Sequence, residues 1–575
     1  MRLFLTTALG LFSTFAGVNA QADPAADAYL ARQVPISRAG VVANIGPDGA
    51  RSSGARAGVV IASPSTYDPD YLYTWTRDSA LVFKGITERY IRGEDDSLRR
   101  RIDDFVAAQT ILQGVTNPSG SPTTGGLGEP KFHIDLTAFT DGWGRPQHDG
   151  PPLRAIALIN YANHLVDTNN ATWAAQRVWP VIKNDLDYTA KYWNYTGFDL
   201  WEEVSGRSFF TSAVQLRALK EGVTLANRLQ QNSAPYAEQV ERVHCFLQSY
   251  WNPQQGYITA NVGHRSGKDA NTILASIHTF DPDAGCDATT FQPCSDKALS
   301  NLKVVVDSFR NEYSINRGIP ANQAVAVGRY HEDIYYGGQP WYLTTHAPAE
   351  QLYDALIVWD RQESLEVTDI SLAFFRQFDG SVQPGTYAKG SATYTALTNA
   401  VRRFADGFFL VNAKYTPADG SLAEQYHRDH GYPLSAKHLT WSYASLLTAY
   451  AARSGQTPTR SWGAKDLVVP GQCVGNIGPT AAITFRVHAE TVWGENIFIT
   501  GNIDALSGWS PDNAIPLAPT NYPTWTATIQ IPVDTNFEYK YIRKNGNAVV
   551  WESDPNRRNS SPSSGSKTIN DSWKN

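Results

Sequence analysis

The stretch GWGRPQHDGPPLRAIALINYANHLVDT, residues 142–168, decides how this chain is read. Its first ten residues are glycine, proline, aromatic and polar. From Leu153 onward, apolar residues then recur at three- and four-residue steps, the period of one helix face. A loop built for contact thus runs straight into a helix built for burial. The same pairing returns along the chain. TWAAQRVWPVIKNDLDYTAKYW (172–193), APAEQLYDALIVWDRQ (347–362), GTYAKGSATYTALTNAVRRFADGFF and AKHLTWSYASLLTAYAARS carry the helical period. Between helices lie YTWTRD (73–78), GWGRPQHDGP (142–151), DLWEEVSG (199–206), NVGHRSGKDAN (261–271), GRYHEDIYYGGQPW (328–341) and GSLAEQYHRDHG (420–431). Six such loops and about twelve helices predict helical hairpins in a ring, with the loops gathered on one face. Periodicity alone leaves an irregular helical bundle open.

At 575 residues the chain exceeds one ordinary core, so several domains are expected. A net charge of −6 gives no electrostatic case for nucleic acid or an anionic membrane as partner. Only 18% of residues are charged, against 16 Trp, 28 Tyr and 23 Phe. Polar work therefore falls on aromatics, amides and hydroxyls, as in sugar recognition.

The N-terminus, MRLFLTTALGLFSTFAGVNA, has a basic start at Arg2, an apolar run and small residues up to Ala20. It reads as a secretory signal over residues 1–20, and the product as a secreted, extracellular protein with no membrane span. Asn170, Asn194, Asn559 and Asn570 each open an Asn-X-Ser/Thr tripeptide and are candidate glycan sites. Four cysteines, Cys245, Cys286, Cys294 and Cys473, favour disulfides in that compartment, with three pairings open. No CxxC pair or HExxH helix occurs, so neither a metal nor another cofactor is expected.

Over 456–479 the helical period stops and Gly, Pro and Thr accumulate, as in a linker. Beyond it the period is two. Ile483, Phe485 and Val487 alternate, then Trp525, Ala527, Ile529 and Ile531, then Phe537, Tyr539 and Tyr541, and Asn545-Gly546 signals a hairpin. The expected plan is thus an α-helical domain over 21–455, the linker, and an all-β sandwich over 480–575.

The loops collect Trp75, Trp143, Trp201 and Trp341, Arg77 and Arg329, Asp78 and Asp333, and Glu202, Glu203 and Glu424. Tryptophan stacks on the apolar face of a pyranose, and arginine–carboxylate pairs fix hydroxyls. Glycoside hydrolysis needs a protonated carboxyl on the leaving oxygen and a second carboxylate acting from elsewhere. The adjacent Glu202 and Glu203 disfavour each other's ionised form, which would raise one pKa. They cannot readily fill both roles, because neighbouring side chains point different ways. Glu424 is the candidate partner. An isolated Glu-Glu pair is more often a solvated helix end, and an isolated Trp is usually core.

YTWTRDSALV, DGWGRPQHDGP, DLWEEVSGRSFFT, SGKDANTILASIHTFDP, GRYHEDIYYGGQPW and SLAEQY…LTWSYASLL, in this order, resemble glycoside hydrolase family 15, the fungal glucoamylases. WGENIFITGNIDALSGW, FEYKYIRK and VVWESDPNR resemble the family 20 starch-binding module. The resemblance implies an (α/α)6 barrel and exo-hydrolysis from non-reducing ends, releasing β-D-glucose with inversion. It implies starch, amylopectin and maltooligosaccharides as partners of a monomer that cleaves α-1,4 and, more slowly, α-1,6 bonds. It makes Glu202 the general acid and Glu424 the general base, with Tyr71 helping to place the water. Glu203, Arg77, Asp78, Arg329 and Asp333 would hold sugar, and the four tryptophans would line the pocket. In the β-domain it assigns Trp509, Lys540, Trp551 and Asn556 to one starch site and Trp493 and Tyr522 to another. It also implies the pairings Cys286–Cys294 and Cys245–Cys473. The rivals are a starch-binding protein that lost hydrolysis, and another helical-barrel carbohydrate enzyme such as a trehalase or polysaccharide lyase.

Overall fold

The computed structural model describes residues 23–261, 265–469, 480–511, 514–546, 548–563 and 565–575. The expected signal segment 1–20 and Cys473 lie outside the described residues. Among the described residues, twelve α-helices have eight residues or more. They are α1 (Pro24–Ala43), α2 (Thr76–Ile91), α3 (Leu98–Gln113), α4 (Gly150–Asp167), α5 (Trp179–Tyr192) and α6 (Phe209–Arg228). There follow α7 (Ala234–Leu247), α8 (Asn271–His278), α9 (Asp296–Ser308), α10 (Tyr342–Arg361), α11 (Ala392–Tyr415) and α12 (Thr440–Arg453).

The even-numbered helices close an inner ring: α2 packs on α4, α4 on α6, α6 on α8, α8 on α10, α10 on α12, and α12 back on α2. The odd-numbered helices lie outside them, for example α7 on α6 and α11 on α10. This is an (α/α)6 barrel. Burial follows position: α10 is buried at almost every residue from Tyr342 to Trp359, whereas α5 buries one stripe including Val181, Ile182, Asp185, Leu186 and Thr189. Side-chain caps satisfy orphan N–H groups at outer-ring starts. Ser295 Oγ accepts from Ala298 N (3.2 Å) and Ser391 Oγ from Tyr394 N (3.2 Å).

Three segments depart from the sequence reading. The helix expected over 172–193 is interrupted by a π-turn at Ala174–Val178 before α5 begins. Pro180, at the start of α5, has no N–H to offer the preceding turn and its ring crowds the carbonyl four residues back. Gly385–Ala388, read as the start of α11, is instead a strand paired with Ser364–Val367. Residues 457–466, read as linker from their composition, lie on the barrel. Trp462 is buried, its Nε1 donates to Thr279 O (2.9 Å), and Gly463 N and Ala464 N donate to Asp281 Oδ2 (3.1 and 3.0 Å). Gly and Pro there shape a strap with its own backbone partners.

The C-terminal domain contains β1 (Thr480–His488), β2 (Asn496–Gly501), β3 (Ile515–Pro516), β4 (Ala518–Asn521), β5 (Thr524–Pro532), β6 (Asn536–Asn545), β7 (Ala548–Trp551), β8 (Arg557–Ser560) and β9 (Ser566–Ser572). One sheet has the order β4-β5-β1-β9, with β1 and β9 parallel. The other runs β3-β2-β6-β7, with β8 also on β6. The alternating residues meet between the sheets: Ile483, Phe485, Val487, Trp525, Ile531, Phe537, Tyr539 and Tyr541 form one core, separate from that of the barrel. The turn after Asn545 joins β6 to β7 as its Asn-Gly pair predicts.

Cys286 and Cys294 form a disulfide. Cys245 is also disulfide-bonded; its expected partner, Cys473, is outside the described residues. Because the two cores share no residues, a fragment of residues 480–575 is expected to unfold in a single cooperative thermal transition. A broad, non-cooperative melt followed by circular dichroism would show that the barrel is needed to complete it.

Candidate active site

Each inner helix begins within three residues of one of the six loops or the turn at 433–439, and these loops, with the first turns of α2 and α12, line one pocket. It has a volume of about 640 Å³. Every residue of the predicted set in the barrel except Asp333 lines it: Tyr71, Trp75, Arg77, Asp78, Trp143, Trp201, Glu202, Glu203, Arg329, Trp341 and Glu424. Asp333 stands behind Arg329, accepting from its Nε (2.8 Å) and Nη2 (2.6 Å).

Glu202 and Glu203 diverge. Glu202 has a left-handed backbone (φ 68°), a strain of about 1–3 kcal/mol for a non-glycine residue. Its N–H donates to Asp199 O (2.9 Å), closing a tight turn. Gly144 makes room for that turn, since a Cβ there would sit 2.4 Å from the Glu202 carbonyl oxygen. The Glu202 carboxyl accepts from Trp75 Nε1 (2.8 Å) and Arg77 Nη2 (3.0 Å) on Oε1, and from Trp143 Nε1 (2.7 Å) on Oε2. Glu203 faces the other way, accepting from Arg329 Nη2 (2.8 Å), Arg265 Nη2 (2.7 Å) and the Tyr330 hydroxyl.

The expected mutual repulsion of the pair is therefore not what sets their ionisation. Burial raises the Glu202 pKa against the pull of Arg77 and the indole donors. Burial also acts upward on Glu203, but its arginines and Tyr330 outweigh it and hold that carboxyl below its usual value.

Glu424 arrives from the last of the six loops, between α11 and α12. It is 2% exposed, and Oε2 accepts from Gln425 Nε2 (3.0 Å) and Ser435 Oγ. Burial pushes its pKa up to about 7, with only neutral donors and a more remote Arg329 opposing. Tyr71 also hydrogen-bonds toward it and shares a 2.8 Å hydroxyl contact with Tyr335. Asp78 is likewise raised to about 7, by burial ahead of its neighbours.

Several residues in and behind the pocket wall escaped the sequence reading. Gln147 and Asp149, within the loop quoted first, both accept from Arg77 Nη1 at 2.8 Å. Their polar cluster GRPQHD was the available signal. Asp269 holds Trp201 through its indole N–H (2.9 and 3.1 Å). Trp441 and Tyr335 also line the wall. Lys131 had no signal: only the pairing of Lys131–Phe132 with Thr74–Trp75 brings it in. Its Nζ then lies 3.7 Å from the Trp143 ring and 4.1 Å from those of Tyr73 and Phe139. Among the described residues no group of three or more His, Cys, Asp or Glu could hold a metal ion.

In the β-domain, Trp509 and Trp551 lie together, ring centroids 6.4 Å apart. Asn556 Nδ2 donates to Glu538 (2.9 Å), while Lys540 Nζ is engaged by Asp554 (2.6 Å). Trp493 is fully exposed, and its loop is tied to the exposed Tyr522 through Thr491 (N to OH, 3.2 Å). Of the candidate glycan sites, Asn170 and Asn570 are exposed, Asn559 is half-buried and Asn194 is buried.

Two buried carboxyls from separate loops, facing one pocket walled by tryptophan, define a glycoside hydrolase. Residues 35–451 match the model for glycosyl hydrolases family 15, and residues 480–571 match that for the starch binding domain. The chain is 57% identical over 580 residues to Glucoamylase-1 of Schizophyllum commune, covering all of both chains. It is 48% identical to the glucoamylase of Neurospora crassa, over 95% of this chain and 94% of that one. The glycoside hydrolase family 15 glucoamylase structure from Hypocrea jecorina aligns with a TM-score of 0.77 at 48% identity, covering 96% of this chain and 100% of that one. The chain belongs to glycosyl hydrolase family 15, the family of these glucoamylases, and carries a starch binding domain behind its catalytic one.

The raised Glu424 pKa has a stability consequence. The native state holds its proton to about pH 7, whereas the unfolded chain releases it near 4.5. Between those values the folded protein binds more protons, so this group makes stability fall as pH rises, by up to roughly 3 kcal/mol. Glu424→Gln removes that dependence. Its melting temperature should match the parent's near pH 4 and exceed it by a few degrees near pH 7.5, as calorimetry would record. An equal difference at both pH values would mean that Glu424 titrates normally.

Proposed function

We propose that the chain is a secreted glucan 1,4-α-glucosidase that removes glucose from non-reducing ends of starch and maltooligosaccharides with inversion, cleaving α-1,6 bonds more slowly. The observation that carries this is the convergence of Glu202 and Glu424, from loops more than two hundred residues apart, on one tryptophan-walled pocket. In this reading Glu202 protonates the glycosidic oxygen and Glu424 takes a proton from the attacking water on the opposite face of the sugar. Arg77, Asp78, Glu203 and Arg329 bind hydroxyls of the terminal glucose, Asp333 orients Arg329, and Tyr71 helps to position the water. The N-terminal twenty residues direct export.

One observation favours exchanged roles. In the ligand-free pocket burial keeps Glu424 protonated to about pH 7, while Glu202 has Arg77 beside it, which suits an anion. Substrate changes both environments, since it displaces water from Glu202 and places a nucleophilic water at Glu424. We therefore assign the acid to Glu202 on the strength of the DLWEE resemblance.

α-Glucosyl fluoride separates the roles, because fluoride leaves without being protonated. Glu202→Gln should lose roughly 10²–10⁴ in kcat on maltooligosaccharides yet hydrolyse the fluoride much more nearly like the parent. Glu424→Gln should be impaired on both. The opposite pattern would exchange the two assignments. Proton NMR of the parent's first product should show the β-anomer, and an α-anomer would exclude inversion.

The β-domain is proposed to attach the enzyme to granular starch through the Trp509–Trp551 pair and through Trp493 with Tyr522. Trp509→Ala or Trp551→Ala should weaken adsorption to granules by about 1–3 kcal/mol, the scale of stacking on flat ligands. Turnover of soluble maltooligosaccharides should stay unchanged. Undiminished adsorption would remove the pair from the binding face.

A further inference from the structure

A second cavity, of about 80 Å³, lies toward the other end of the barrel, between the middle and later turns of α2, α10 and α12, the end of α8 and the strap at Gln456–Pro458. Three largely buried charged residues line it: Asp354 (3% exposed), Glu350 (7%) and Lys84 (9%). Among the described residues no hydrogen bond or ion pair reaches the Asp354 carboxyl. Lys84 Nζ has only Glu88 Oε1, at 3.9 Å. Glu350 accepts from Thr448 Oγ1 and keeps acceptor capacity to spare. Leu81, Phe280 and Leu447 supply an apolar wall beside these groups.

Buried charged groups left without partners cost several kcal/mol, so whatever fills the cavity must complete their hydrogen bonds. A divalent cation suits it poorly, because the Lys84 ammonium shares the space. A hydrocarbon would leave all three groups unsatisfied. Water alone would satisfy the polar groups but would gain nothing from the apolar wall. A polyhydroxy compound matches every part: its hydroxyls donate to Asp354 and Glu350 and accept from Lys84, and its C–H face covers the apolar wall. Burial pushes both carboxyls up, Glu350 to about 7, and Glu350 adds to the rise of Asp354.

We propose that this cavity is a second small-ligand site, separate from the catalytic pocket, for a neutral polyol no larger than glycerol.

Crystals of the full chain grown without polyols, then soaked in glycerol, test this directly. The expected result is one glycerol in the cavity with hydroxyls within hydrogen-bond distance of Asp354 and Lys84. Only water in the cavity, at glycerol concentrations that place glycerol in the catalytic pocket, would overturn it. In solution, amide exchange of residues 81–92 and 350–358 should slow about tenfold at ten times the dissociation constant. Asp354→Ala should weaken that apparent affinity about fivefold, the loss expected for one hydrogen bond. Protection around 199–206 and 420–435, by the catalytic pocket, should remain. Leu447→Phe, which narrows the cavity and leaves the charges alone, should act in the same direction. Base protection unchanged in both variants would show that it arises elsewhere and would sink the proposal.

Discussion

A buried guanidinium holds the catalytic end together. Arg77, in the first turn of α2, donates to Gln147 and Asp149 of the next loop and to Glu202 of the one after. Three loops that meet nowhere in sequence thus share one cation. Removing it would leave Asp149 and Glu202 buried and unpaired, a penalty of about 3–5 kcal/mol by the usual cost of breaking such a pair. The geometry of Glu202 depends on it too. The turn at φ 68° aims the carboxyl into the pocket, and Arg77 with the Trp75 and Trp143 indoles gives it somewhere to bind. A lysine could replace the charge but not the fork that reaches three acceptors at once.

The inner ring imposes a polarity on everything around it. All six inner helices start at the loop end of the barrel, so their dipoles point positive ends toward that face. At the other end each has a basic residue in its last turn: Arg89, His164, Arg228, His278, Arg361 and Arg453. Yet Asp78, in the first turn of α2, is raised from 3.8 to about 7 rather than lowered. The magnitudes explain why. A helix terminus contributes about 0.3–2 kcal/mol, whereas a rise of three units is roughly 4 kcal/mol. Burial wins over the dipole. The pocket thereby keeps carboxyls that can still gain or lose a proton in mildly acid or neutral solution.

Much of this was legible in the sequence, and the parts that were not share a cause. Helical periodicity located the barrel because burying one or both faces of a helix constrains many residues at once. The loops gave up Trp75, Arg77, Glu202 and Glu424 because such residue types are costly to bury without a purpose. Lys131 was invisible, since only a two-residue strand pairing places it among aromatic rings. The strap at 457–466 was misread because Gly and Pro serve a fixed irregular path as readily as a free one. The repulsion expected between Glu202 and Glu203 failed for a similar reason. Adjacency in sequence says nothing about which partners each side chain finds once the backbone turns.

That turn gives the Glu-Glu pair its structural role. Glu202 reaches back to the loops at 73–78 and 142–151, and Glu203 reaches forward to Arg265 and Arg329 in the loops at 261–271 and 328–341. One dipeptide thus joins the two halves of the loop ring. The last loop is attached by another means. Trp341 and Gln425 form a β-bridge, Tyr426 N donates to Pro340 O (3.1 Å), and Tyr342 N to Glu424 O (3.4 Å). Glu424 is therefore positioned by backbone, and its carboxyl receives neutral direct donors, Gln425, Ser435 and Tyr71. A carboxyl fixed by ion pairs would have its charge committed before substrate arrived. Glu424 is fixed in place with its charge uncommitted, which leaves its protonation open to whatever enters the pocket.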